Sequence, residues 1–290
     1  MIPKGKLIAV GGAEDKGTDL EAGIIKRSHL NFFEIGILKT ITKLLEDTND
    51  RIEVITTASS IPDEVGENYI DAFTKLGCTN AGHLKIRHRE DALKPDAVAR
   101  VQNCKAVMFS GGNQLRLSSI FGGTEFLDVL HERYINENFL IAGTSAGAMA
   151  MSNTMIYEGN ATNAHLKGEV KITTGLGFLN GVIIDSHFNK RGRFPRLAQA
   201  VAANPGAIGI GLGEDTGIIV TKGEELHAIG SGAVMILDGR NIGYNNIADI
   251  EFDEPISVEN LIVHILGKGN AYNIRTRKYS GADVVVKPAE

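Results

Sequence analysis

The chain has 290 residues, 34 of them Gly, with 43% hydrophobic and 22% charged residues and only seven Pro. This composition excludes a mainly disordered or collagen-like chain. A formal charge of −5 argues against a general nucleic-acid binder, and no apolar run approaches the ~18–20 residues of a membrane span.

The opening apolar stretch, residues 7–10, is shorter than the about 7–15 residues of a signal-peptide core. Two cysteines, Cys78 and Cys104, cannot supply a disulfide framework or a Cys-rich zinc site. A cytoplasmic location is therefore expected.

KLIAVGG (6–12) reads as a buried strand ending in a Gly turn. Phe33, Ile37, Ile41, Leu44 and Leu45 recur at helical spacing over about residues 32–45. RIEVITTAS (51–59) reads as a second strand, and residues 69–76 as a helix stopped by Gly77. AVMFSGG (106–112) is a strand and turn, FLDVLHERYINE (126–137) a helix, and FLIAGTSAG (139–147) a strand running into a Gly-bounded turn. GVIIDSHF (181–188), AIGIGL (207–212), GIIVTKG (217–223) and HAIGSGAVMILDG (227–239) are further strand candidates, and Asp238-Gly239 is expected to turn a hairpin.

The β-α-β-α-β-α-β order of the first half predicts an α/β fold: a mostly parallel sheet with helices on both faces, followed by a β-richer C-terminal part. No linker composition or internal repeat interrupts residues 1–290, so a single domain is expected. In parallel sheets ligands bind beyond the carboxyl ends of the strands. Gly11-Gly12, residues 57–60, residues 111–114, Ser145 and residues 185–187 all fall there.

Gly143-Thr144-Ser145-Ala146-Gly147 matches G-x-S-x-G, between an apolar strand and the small-residue start of a helix. A Ser on so sharp a turn is exposed as a nucleophile, with the Ala146 amide and the helix start placed to hold an oxyanion. The same residues could also serve only to pack a helix closely on a sheet; the strand and helix in register favour the nucleophile. Gly111-Gly112 could aim a second amide into the crevice, although the pair by itself reads as an ordinary βα turn.

A Ser nucleophile needs a base, usually His. Of eight His, His187 ends a strand candidate and opens the polar run 189–196. Glu214-Asp215 follows AIGIGLG and offers the third member; without Ser145 and His187 it would read as a solvated loop or cap. The order Ser145, His187, Glu214 differs from the Ser…Asp/Glu…His order of α/β-hydrolases. Ser145, Asp215 and His227 would restore that order, but His227 lies within a strand-like run.

Arg191, Arg193 and Arg196 crowd beside His187, and Arg binds carboxylates in bidentate fashion. They point to an anionic substrate, against the plainer reading of a solvated basic face. Gln114 could face a substrate amide or carboxylate, or simply begin a helix. Gly11-Gly12 does not complete G-x-G-x-x-G, and no Walker A, H-E-x-x-H or EF-hand pattern is present, so neither cofactor nor metal is expected.

GGAEDK (11–16), TTASSIPDEVGENYIDAF (56–73), FSGGNQLRL (109–117), GTSAGA (143–148), GLGFLNGVIIDSHFNKRGRFPRL (175–197) and IGIGLGEDTGIIV (208–220) together resemble the cyanophycinases. These form a branch of the serine peptidase family that also contains the aspartyl dipeptidases (peptidase E). The resemblance implies a flavodoxin-like, class I glutamine amidotransferase-like α/β sandwich, often dimeric. It implies Ser145 as nucleophile, His187 as base and Glu214 as acid, oxyanion amides at Gly112 and Ala146, and a substrate pocket of Gln114, Asp185, Ser186, Arg191, Arg193 and Arg196. The implied reaction is hydrolysis of cyanophycin, a poly-aspartate carrying Arg through isopeptide bonds, to β-Asp-Arg dipeptides. The implied partners are this polymer or a related β-aspartyl peptide, and a second copy of the chain. Ser186 stands where the family usually has Gln, which predicts a relaxed choice between Arg and Lys. An aspartyl dipeptidase without cyanophycin activity and a non-catalytic binder of acidic peptides are the rival readings; the Arg cluster argues against the first.

Overall fold

A computed structural model describes residues 1–14 and 36–281. The strands are β1 (Lys6–Val10), β2 (Ile52–Ile55), β3 (Ala81–Leu84), β4 (Ala106–Phe109), β5 (Leu140–Thr144), β6 (Thr154–Glu158), β7 (Lys171–Thr174), β8 (Val182–Asp185), β9 (Ile208–Leu212), β10 (Thr216–Thr221), β11 (Glu225–Gly230), β12 (Val234–Asp238), β13 (Ile262–Leu266), β14 (Ala271–Asn273) and β15 (Lys278–Ser280). The helices are α1 (Ile37–Lys43), α2 (Pro62–Lys75), α3 (Arg89–Ala92), α4 (Pro95–Asn103), α5 (Gln114–Phe121), α6 (Glu125–Asn136), α7 (Ala146–Ala150) and α8 (Phe194–Ala203).

Among the described residues the main sheet runs β15-β14-β11-β10-β1-β5-β4-β2-β3. From β1 to β3 its pairs are parallel, and from β1 outward to β15 antiparallel. A smaller sheet runs β13-β12-β9-β8, with β8 and β9 parallel.

The central parallel strands β1, β4 and β5 are nearly continuous apolar runs because both their faces are covered. Leu7 and Ala9 of β1 join one core with Ile141, Val107 and Phe109. Ile8 and Val10 join the other with Leu140, Ala142, Ala106 and Met108, under α1 and α2. The first core also takes Ile183, Ile208, Ile210, Val234 and Ile236 from the small sheet. At roughly 1.5–3 kcal/mol per fully buried large apolar side chain, this shared burial strongly favours the two sheets packing together.

Four differences from the expected elements have local causes. The apolar run 227–239 is two strands in different sheets. Gly230 turns at φ 93°, and the amides of Ser231 and Gly232 bond back to Asp215 O and Thr216 Oγ1. Both halves are apolar, so hydrophobicity alone could not reveal the break. Asp238-Gly239 makes no tight hairpin, because the partner of β12 is β13, reached through residues 239–261. Helix α2 begins at Pro62, a residue suited to a first helical turn, well before residue 69. Strand β3 (AGHL) carries too few β-branched residues to stand out. The start of the helix expected at 32–45 lies outside the described residues, which contain α1.

Candidate active site

Ser145 stands between β5 and α7 at φ 51° and ψ −109°. Such a conformation costs of order 1–3 kcal/mol and persists only where its surroundings over-determine it. They do so here: the Ser145 amide donates to Val10 O at 2.8 Å, and its carbonyl accepts from Met149 N at 3.0 Å. The flanking glycines permit the close approach. A β-carbon on Gly147 would fall 2.5 Å from Phe109 O, and one on Gly143 would fall 2.7 Å from the Gly147 carbonyl carbon. Helix α7 is only five residues long, so positive potential at the turn comes from its first amides rather than from a long helix dipole.

His187 follows β8 in the small sheet and meets Ser145 from the main one. Its Nε2 lies 3.0 Å from Ser145 Oγ, and its Nδ1 lies 3.0 Å from Glu214 Oε1. Glu214 comes from the connection between β9 and β10 and takes Lys190 Nζ on its other oxygen at 3.3 Å. One turn aligns all three segments. The carbonyls of Val10, Gly11 and Gly12 accept, in order, the amides of Ser145, His187 and Asp215 at 2.8, 2.8 and 2.9 Å.

Burial, with the charges of Arg191 and Arg193 nearby, lowers the His187 pKa below its ordinary value, against the opposing pull of Glu214. Burial raises Glu214, but hydrogen bonds from His187 and Lys190 outweigh it and hold the carboxyl below its usual range. A neutral imidazole beside an ionised carboxylate is the state a general base requires. His227 lies instead on β11, exposed and paired across the ladder with Ile219, while Asp215 accepts from Ser231 Oγ at 2.6 Å. The alternative order through Asp215 and His227, already disfavoured by the strand-like run around His227, is not the one the structure brings together.

The profile of peptidase family S51 matches residues 29–229. The chain belongs to peptidase family S51. The cyanophycinase of Synechococcus elongatus is 35% identical over 275 residues, covering 95% of this chain and 81% of the relative. That of Geminocystis herdmanii is 32% identical, covering 95% and 96%. A crystal structure of a peptidase from an acI-B1 actinobacterium superposes with a TM-score of 0.66 at 21% identity, covering 93% of this chain and 97% of the other. A putative peptidase E protein from Listeria monocytogenes gives 0.50 at 15% identity, covering 78% and 98%. The expected flavodoxin-like α/β fold and serine-type peptidase class stand. The non-catalytic reading is set aside.

Beside Ser145 the S51 chain has a cleft of about 530 Å³, lined by Gly12, Glu14, Val65, Asn68, Gly111, Gly112, Arg191 and neighbours. Gly111 abuts the nucleophile, since a β-carbon there would lie 3.3 Å from Ser145 Cβ. Gly112 lines the same cleft in the loop after β4, and Ala146, next to Ser145, begins α7.

Of the expected pocket residues, Arg191 lines this cleft. Asp185, Ser186 and Arg196 are 0, 1 and 4% exposed, and the structure places them beneath the cleft surface, in contact with other protein groups. Asp185 receives both Nε (2.8 Å) and Nη2 of Arg196, and Nη1 of Arg193 at 3.2 Å. Arg193 also donates to Ser186 O at 2.7 Å, and Arg196 to Gly159 O at 3.1 Å. The group is an ion-paired foundation behind the His187 loop, and burial lowers the Arg193 pKa to about 10. Ser186 Oγ donates to Met149 Sδ at 3.2 Å, pointing into the core. Gln114 Nε2 donates to Ile156 O and Tyr157 O at 3.0 and 3.3 Å, tying α5 to β6.

Sequence reasoning missed Glu14, Val65, Asn68 and Tyr69 as cleft residues. Val65, Asn68 and Tyr69 sit at i, i+3 and i+4 on α2, a spacing that puts them on one face. Gly11-Gly12 at a strand's carboxyl end was the available signal, but it matters as backbone for the triad rather than as a phosphate loop. Among the described residues no helix is long and apolar enough to cross a membrane, and no group of three or more His, Cys, Asp or Glu is arranged to hold a metal.

Proposed function

We propose that this S51 peptidase hydrolyses cyanophycin to β-Asp-Arg dipeptides through an acyl-enzyme on Ser145. The observation that carries the reading is the unbroken contact Ser145 Oγ–His187 Nε2 and His187 Nδ1–Glu214 Oε1, each 3.0 Å. Ser145 Oγ attacks the scissile carbonyl while His187 Nε2 takes its proton. Glu214 holds the Nδ1–H and stabilises the imidazolium. The Gly112 and Ala146 amides receive the oxyanion. The imidazolium then protonates the leaving amine, and a water activated by His187 releases the acyl group. The substrate is read from the cyanophycinases, which match this chain over nearly its whole length.

Arg191 in the cleft supports binding of a substrate carboxylate. Because Asp185 and the buried Arg196 satisfy each other, the clustered Arg residues discriminate less strongly between a polymer and a small substrate. That observation keeps a β-aspartyl dipeptidase as the second reading. The triad draws on both sheets, which supports treating residues 1–290 as one domain. Both cysteines are buried, and burial raises the Cys104 thiol to about 12, in keeping with a structural thiol in a reducing cytoplasm. A homodimer, proposed on the family resemblance, is checked by sedimentation.

The test is incubation of the purified protein with cyanophycin and mass analysis of the products. Release of β-Asp-Arg, lost in Ser145→Ala, is expected. Cleavage of β-aspartyl dipeptides alone would select the second reading. Turnover undiminished in Ser145→Ala would overturn both.

A further inference from the structure

We propose that Glu14 is a positioning residue for the nucleophile: its carboxylate braces Thr144, the residue before Ser145, against helix α2. The inference rests on the reading of Ser145 as nucleophile and concerns a side chain that the mechanism above leaves unused.

Glu14 borders the cleft yet is only 5% exposed. Thr144 Oγ1 donates to its Oε2 at 2.6 Å, and the Tyr69 hydroxyl donates to its Oε1. Tyr69 is itself 1% exposed. Burial, reinforced by the charge of Glu14, raises its phenol well above the ordinary value, so it remains a donor. Two hydroxyl hydrogen bonds thus converge on a single buried side chain.

The backbone shows how an acid from the first loop arrives there. Val10 and Thr144 are register partners in the parallel pair β1–β5. Beyond β1, Gly12 at φ 106° and Ala13 at φ 52° turn the chain, so that Glu14 comes back to the end of β5. Thr144 is the last residue of β5, and the next residue adopts the strained conformation that exposes Oγ. Fixing the Thr144 side chain limits rotation at the peptide leading into Ser145. Because the same carboxylate grips Tyr69, the elbow is referenced to α2 as well as to β1.

The experiment measures acylation of Ser145 by a fluorophosphonate, which reports nucleophile reactivity without substrate recognition, with the labelled residue identified by mass spectrometry. Thr144→Val removes the hydroxyl at nearly constant volume. It should slow acylation by about fivefold or more, since small misplacements at a reacting centre carry large kinetic effects. Glu14→Ala should slow it similarly, Glu14→Gln, which keeps an acceptor, should recover most of the rate, and Glu14→Ala/Thr144→Val should be no slower than the slower single variant. Melting curves establish that each variant is folded at the assay temperature; if Glu14→Ala is not, Thr144→Val and Glu14→Gln decide. A merely structural brace would lower the melting temperature and leave the acylation rate of folded protein intact. Slowing of less than about fivefold in folded Thr144→Val, or losses that multiply in the double variant, overturns the proposal. Wild-type protein that is not acylated at Ser145 would instead defeat the nucleophile reading, and this inference with it.

Discussion

Gly12 lies against the ring of His187 so closely that a β-carbon on residue 12 would fall 2.4 Å from Cε1 and 2.6 Å from Nε2. Nε2 is the atom that meets Ser145 Oγ. The absence of a side chain at position 12 is thus part of the geometry of the triad, and the φ of 106° adds a second reason for glycine.

Gly12→Ala should therefore push the imidazole off Ser145. We expect a fall in kcat of about 100-fold, the scale that a 1 Å misplacement of a reacting group produces. The left-handed backbone adds roughly 1–2 kcal/mol of destabilisation. Steady-state kinetics alongside urea unfolding separate the two effects; an unchanged kcat in folded protein contradicts this account.

The pH dependence follows from His187. Its pKa lies below the ordinary 6.5, chiefly through burial and then through Arg191 and Arg193. Because the neutral ring is the active base, the rate should persist as pH falls through 6.5 and drop only at lower pH. Glu214, also lowered, stays ionised over that range. Arg191→Gln removes one repelling charge, raises the His187 pKa and should move the acid limb to higher pH. The rate of fluorophosphonate acylation against pH measures this, and a limb moving the other way refutes it.

Asp185 and Arg191 should separate stability from binding. Asp185→Ala strands the buried guanidinium of Arg196, and breaking a buried pair in this way typically costs about 3–5 kcal/mol. Arg191, exposed at the cleft, carries no comparable burden. Arg191→Ala should raise KM for anionic substrates while leaving the urea midpoint nearly unchanged. Equal losses of stability in the two variants would count against the buried foundation.

Ser186 was expected to set side-chain preference, but its hydroxyl faces Met149 and it is 1% exposed. Ser186→Gln should overpack the core, costing about 1–3 kcal/mol. The ratio of kcat/KM for β-Asp-Arg over β-Asp-Lys oligomers should stay as in wild type. A changed ratio without loss of stability would return position 186 to the substrate pocket.

The sequence by itself determined four strands of the parallel half, β1, β2, β4 and β5, because strands buried on both faces are apolar runs that local composition reveals; the half-buried edge strand β3 gave no such run. It also determined the elbow at Ser145, since G-x-S-x-G between strand and helix is a local steric requirement. His187 and Glu214 were legible as polar residues at strand ends. Only the tertiary structure decided that they converge, because one element belongs to the small sheet and the carbonyls of Val10, Gly11 and Gly12 draw their segments together. It alone decided which polar side chains face the cleft. Arg191 and Arg196 belong to one basic run, yet one lines the cleft and the other is sealed against Asp185. Glu14 escaped notice for the same reason: burial and pairing depend on what the rest of the chain brings to a residue, and no local pattern of charge records it.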